Sequence, residues 1–397
     1  MHMSIKVKKK NAKAALKLLL FATYNFFYAF YMAGYLSRNI YLFAMAFFCF
    51  VCMVEYYTHP HQHIGRAETK PMAVFILSIC VITLCIQIIN LRFSMTQWSY
   101  MLYWTMPLVA AFYWFNTTAN ENREIYFYVL LARFVLTFIL TFGAHLNLSN
   151  ILSIRWGDSM SSVFESSDAH NFLFMTMVFL LMDKKILAYV SAFFCLISFK
   201  RLSFILVIVL LVLYKKIPFK KVSSKITYLA IVFFCISPLI VLWILSPQAE
   251  HFFSSIGFDI NLFTSNRIKM IQQITSGVEA SGGFNGFGTM NAYMQTHPYG
   301  IYHLIYIMHC DYYMLMKECT IIAPMIFTIA FLKPASKDWH IFLMALYICF
   351  EMVVSTFFTS MASWTIFYMF EFFMFYKYME EKPHRSYYDG DSSVRSI

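Results

Sequence analysis

The chain has 397 residues, 60% of them hydrophobic and only 13% charged, with a mean hydropathy of +0.61. Soluble domains carry about 25% charged residues, so these values exclude a chain that faces water over most of its surface. The formal net charge is +11, the sign of a nucleic-acid binder, but the placement of the lysines argues against that class.

A hydrocarbon core about 30 Å thick takes about 20 apolar residues per helical crossing. Without water to satisfy backbone groups in lipid, helices are the viable spanning structure. Apolar stretches fall at about 13–33, 39–57, 72–91, 98–116, 125–144, 170–183, 186–199, 202–214, 226–246, 311–332, 339–358 and 361–378. The sequence therefore predicts an all-α polytopic membrane protein with about 12 transmembrane helices. Its large loop, 247–310, lies between the ninth and tenth. Residues 1–379 read as a single transmembrane domain without repeats, and the polar tail 380–397 as disordered. No small-residue cleavage site follows the first apolar run, which predicts a retained helix.

Lysines cluster before the first stretch (Lys6, Lys8, Lys9, Lys10, Lys13) and after the sixth (Lys184, Lys185), the eighth (Lys215, Lys216, Lys220, Lys221, Lys225) and the tenth (Lys333, Lys337). With the N-terminus inside, all these clusters fall on the cytoplasmic side, as the positive-inside rule requires. The basic excess is thus an expectation about topology, and no nucleic-acid partner follows from it. The same count puts both termini in the cytoplasm, and 145–169, Lys200-Arg201 and the 247–310 loop on the outer face. The nine cysteines sit mostly in apolar stretches without metal-ligand spacing and read as small hydrophobes.

Several polar residues stand against this apolar background. Arg201, with Lys200 before it, lies between two apolar stretches on the outer side, against the usual charge bias, which points to an anionic partner. Arg267 opens a short helical segment in the outer loop. Gly282, Gly283, Gly286 and Gly288 permit tight turns and close backbone approach. His309-Cys310-Asp311 leads into an apolar run in which Glu318 lies seven residues beyond Asp311, on the same face and about 10 Å further along the axis. His309 suits general base work near neutral pH. His59, His61 and His63 alternate on the cytoplasmic side and read as a plain polar loop. An Asp-x-Asp pair, of the kind that holds a metal-bound sugar nucleotide, occurs only as Asp389-Gly390-Asp391 in the polar tail 380–397, away from the outer loops.

In order and spacing the outer motifs resemble the O-antigen polymerase/O-antigen ligase superfamily of bacterial envelopes. The resemblance runs over about 150–335: the Arg201 segment, Ser265-Asn266-Arg267-Ile268, Gly286-Phe287-Gly288, and His309-Cys310-Asp311-Tyr312 followed by Glu318. It departs where Lys200 stands directly before Arg201 and where Cys310 follows the histidine. The resemblance implies a metal-independent GT-C-type glycosyltransferase of the inner membrane that takes an undecaprenyl-diphosphate-linked donor and acceptor and needs no cofactor. It implies Arg201 and Arg267 on the diphosphate, with Lys200 and Arg155 as helpers. His309 becomes the base, with Asp311 or Glu318 orienting or replacing it, and Gly286 and Gly288 shape the substrate loop. A polymerase working beside a chain-length regulator and a flippase is the leading expectation. An O-antigen ligase, a capsule or exopolysaccharide polymerase, and a lipid-linked oligosaccharide transporter stand as alternatives.

Overall fold

A computed structural model describes residues 2–58, 65–118, 122–153, 163–164, 168–264, 266–298 and 309–385. All regular structure among them is helical. The α-helices are α1 (His2–Met32), α2 (Arg38–Thr58), α3 (Arg66–Ile89), α4 (Met95–Thr117), α5 (Glu124–Phe142), α6 (Leu148–Leu152), α7 (Asp168–Leu181), α8 (Lys185–Ile197) and α9 (Arg201–Leu213). They continue with α10 (Ser224–Ile244), α11 (Pro247–Ser255), α12 (Ile260–Phe263), α13 (Arg267–Ala280), α14 (Thr289–Thr296), α15 (Asp311–Glu318), α16 (Ala323–Ala335), α17 (Trp339–Val354) and α18 (Met361–Arg385). Five helices among the described residues, within α1, α2, α3, α5 and α10, are long and apolar enough to cross a membrane, and α7, α8, α16 and α17 are shorter apolar helices. Side chains such as Phe43, Leu77, Ile186 and Leu229 stand exposed on the outer faces of these helices, as they would toward lipid.

Each expected apolar stretch except one coincides with a single helix. The exception is 311–332, which breaks between Glu318 and Ala323. A helix running through would meet Pro324, which has no N–H for the carbonyl of Thr320 and whose ring clashes there. In the first turn of α16 that missing donor costs nothing. Pro238 is instead tolerated inside α10, where the Ser237 hydroxyl donates to the freed Phe234 carbonyl at 2.8 Å. At the C-terminus α18 runs to Arg385, so the first residues of the expected disordered tail are helical.

The chain divides into two compact units. Unit 1 comprises Met1–Gly65, Met106–Pro218 and Ala362–Ile397; unit 2 comprises Arg66–Thr105 and Phe219–Met361. At the centre of unit 1 is α7, buried from Asp168 to Leu180 and packed by α5, α8 and α9. Helix α1 packs on α2 and α5, and the buried Lys17 amine holds the Thr117 carbonyl at 2.9 Å and the Glu55 carboxylate at 3.0 Å. Unit 2 is built on α16, which contacts α3, α10, α15 and α17, while α14 joins α13 to α15.

Candidate functional site

In unit 1 the polar centre is the corner between α8 and α9. The chain turns there because Ser198 closes α8 with its hydroxyl on the Phe194 carbonyl, and Phe199 takes a left-handed φ of 41°. Lys200 is then the N-cap of α9 and Arg201 its first residue, with no side-chain cap. The uncapped N–H groups add the positive end of the helix dipole to two cations. Lys200 Nζ lies 2.6 Å from Nε2 of His170, a fully buried residue of α7. Arg201 Nε is buried and has no hydrogen-bond partner among the described residues.

The next residue of α7, Asn171, donates from its amide to Asp168 (2.9 Å) and accepts from Ser363 (2.9 Å). Asp168 is an electrostatic neighbour of Arg133, a residue the sequence reading passed over. Arg133 is 2% exposed in the middle of α5, with its guanidinium 4.0 Å from the Tyr28 ring and 3.5 Å from Asn25 Oδ1. Its Nε and Nη2 have no partner among the described residues. The available signal was a single arginine in an otherwise apolar stretch, which in a bilayer is a functional candidate by default.

In unit 2 the structure brings Arg267 and the His309-Cys310-Asp311 run onto one turn, Val354–Phe358, after α17. Arg267 Nη1 donates to the Val354 carbonyl at 2.6 Å, and the Cys310 N–H donates to that of Ser355 at 2.6 Å. Asp311 takes the N–H of Phe357 on Oδ2, the N–H of Phe358 on the same oxygen at 2.9 Å, and the Thr356 hydroxyl on Oδ1 at 3.2 Å. Asp311 therefore acts in this fold as the acceptor that ties the turn to the start of α15. His309 is half-buried beside it. The Cys310 thiol is pushed up to about 12 by burial, with Asp311 adding to and Arg267 opposing the shift, so it stays protonated and inert. Nothing in the local sequence marks 354–358 as the meeting place, because the contact is made over more than 40 residues.

Glu318 meets the glycine-rich segment. Its Oε2 accepts the Gly288 N–H and its Oε1 the Met290 N–H, both at 2.6 Å, which caps the start of α14. The carboxylate is buried, with a backbone N–H on each of its oxygens. Gly286 has φ 92°, and a Cβ there would stand 2.7 Å from Thr83 Cγ2 and 2.9 Å from Thr83 Cα, so the loop lies directly on α3. The Phe287 N–H donates to the Thr83 hydroxyl, and the amide of Gln97 reaches Thr289 at 2.7 Å. The N–H groups of Phe287 and Gly288 are thus committed within the protein. Arg155, His59, His61, His63 and Ser265 lie outside the described residues. Arg201 and Lys200 belong to unit 1, and Arg267, Gly286, Gly288, His309, Asp311 and Glu318 to unit 2. No family model, curated protein or solved structure matches this chain.

Proposed function

We propose that this chain is a metal-independent glycosyltransferase of a bacterial inner membrane, with twelve crossings in a GT-C-type arrangement and both termini cytoplasmic. It transfers a growing glycan from undecaprenyl diphosphate onto a lipid-linked repeat unit at the periplasmic face, as in O-antigen polymerisation. Its membrane neighbours in this reading are a chain-length regulator and a flippase. The observation that carries the reading is Arg201, whose buried Nε has no partner among the described residues, at an uncapped helix start next to Lys200. Such a donor set suits a lipid diphosphate, because guanidinium stays ionised and pairs with phosphate oxygens through its planar fork.

The reaction uses two diphosphate-bearing lipids, and Arg201 with Lys200 and Arg267 are each assigned to such a group. The acceptor hydroxyl attacks the anomeric carbon of the donor. The carbon–oxygen bond to the diphosphate breaks, and that oxygen leaves with the electron pair. The hydroxyl proton passes to a base, for which His309 is the choice, since Asp311 and Glu318 hold backbone N–H groups with their carboxylates. Asp311 and Glu318 then act by positioning the segments on which His309 and the glycines lie.

The test is extension of purified lipid-linked repeat units by the protein in vesicles, with a chelator and without nucleotide. Chains of two or more repeats are expected. Arg201→Ala is expected to remove at least 99% of the extension, and Arg201→Lys to restore only part of it. Movement of the lipid across the vesicle without chain growth would overturn the reading in favour of a transporter. Transfer of glycan only to lipid A-core, with no longer chains, would replace polymerase with ligase.

A further inference from the structure

The segment 243–258 of unit 2 carries an apolar face that the reaction above does not use. Ala249, Phe252, Phe253 and Ile256 recur at i, i+3, i+4 and i+7 and form one stripe of α11, while Glu250, His251, Ser254 and Ser255 occupy the other side. Phe252 is 51% exposed, Ile256 63% and Phe258 39%. Trp243, in the last turn of α10, lies with its ring centroid 6.0 Å from Phe252 and 5.8 Å from Phe253, and Phe258 lies 5.6 Å from Phe253. In a continuous helix, Trp243 and Phe253 would be separated by about 15 Å along the axis. Ring contact therefore requires the chain to fold back between Ile244 and Pro247. The turn is built for it: the Ser246 hydroxyl accepts the Ala249 N–H, and Pro247 opens α11.

What covers this stripe follows from where it begins. Helix α10 is one of those apolar enough to cross a membrane, and the aromatic cluster starts in its final turn. It is thus continuous with a lipid-facing surface, at the level where hydrocarbon gives way to headgroups. Aromatic side chains are enriched at that depth, and a short helix with one apolar and one polar face rests there in the plane of the membrane. We propose that α11, with Trp243 and Phe258, is an interfacial foot seated in the lipid leaflet at the C-terminal end of α10. The foot also fixes the depth of α13, because Gln272 Nε2 donates to the Leu245 carbonyl at 2.9 Å in the turn that joins α10 to α11. Arg267, the first residue of α13, is thereby held near the phosphate level of the lipids. That consequence rests on the assignment of Arg267 to a lipid diphosphate, whereas the seat of α11 in lipid does not.

Depth-dependent quenching tests the seat. Phe252→Trp, Ile256→Trp and Ser254→Trp are made singly, reconstituted in phosphatidylcholine/phosphatidylglycerol vesicles, and read as the fluorescence gained over the parent, which has seven tryptophans. Lipids brominated high on the acyl chain are expected to quench the added signal at 252 and 256 at least twofold more than at 254. Aqueous iodide is expected to do the reverse. Equal iodide quenching at all three positions would place α11 in water. Protection of 252 and 256 from both quenchers would mean a protein surface or a second copy covers the stripe. Either result overturns the proposal. The Ile256 variant guards against a local effect of replacing Phe252, and none of these readings requires glycan extension, so a failed extension assay leaves them intact.

Discussion

Replacing Glu318 by glutamine separates a carboxylate that builds the site from one that performs chemistry. In the parent, two buried N–H groups, of Gly288 and Met290, each end 2.6 Å from a Glu318 oxygen. A glutamine keeps one acceptor and turns an NH₂ toward the other donor, so one buried N–H loses its partner, at about 1–3 kcal/mol. Alanine leaves both without partners, for about 2–6 kcal/mol. Thermal unfolding in detergent micelles, with glycan extension measured in parallel, reads this directly, and alanine is expected to lose about twice what glutamine loses. A glutamine variant with unchanged unfolding and no extension would refute the reasoning and return Glu318 to the reaction.

The other expectations concern packing and buried charge. Gly286→Ala combines a left-handed φ, about 1–2 kcal/mol, with a Cβ 2.9 Å from Thr83 Cα, about 1–3 kcal/mol more. Gly34→Ala, at φ 82° with open space around it, should cost only the first part, and equal losses in thermal unfolding would remove the contact from the account. Arg133→Met removes a cation whose charge reaches the buried Asp168 and should lower stability by at least about 1 kcal/mol. Arg133→Met with Asp168→Asn should recover at least half of that in a double-mutant cycle, and strict additivity would show that the two charges do not interact.

The helices were legible because lipid imposes a length and a composition on each crossing, and those survive in a single sequence. The Arg267 helix was legible for a different reason: Arg267-Ile268-Lys269 opens a segment too polar to be a crossing, within the 247–310 loop. What the sequence did not carry was partnership. The seven-residue spacing puts Asp311 and Glu318 on one face of a helix, yet the first binds the 354–358 turn and the second binds the start of α14. A period reports a face and not what packs on it. The break at Pro324 had a local signal that the hydropathy of 311–332 masked.

The three polar segments singled out in the sequence share one backbone device. Of the non-glycine residues with positive φ among those described, Phe199 directly precedes Lys200-Arg201, Asn266 precedes Arg267, and Cys310 precedes Asp311. Each left-handed residue stops the incoming chain and starts a helix at the motif, so the first charged side chain of the new helix projects from its N-terminal turn. For Phe199 and Cys310 this conformation costs about 1–2 kcal/mol, and only asparagine adopts it with some ease. Asn266 is therefore the one such turn that residue type could announce. At Phe199 the offset comes from its buried ring, which packs 5.7 Å from Phe204, and at Cys310 from the bond of its N–H to Ser355. Both compensations are tertiary or span a helical turn. The strain that aims these charges is thus set by the folded packing around them, which explains why the charged residues could be read from the sequence while the turns that present them could not.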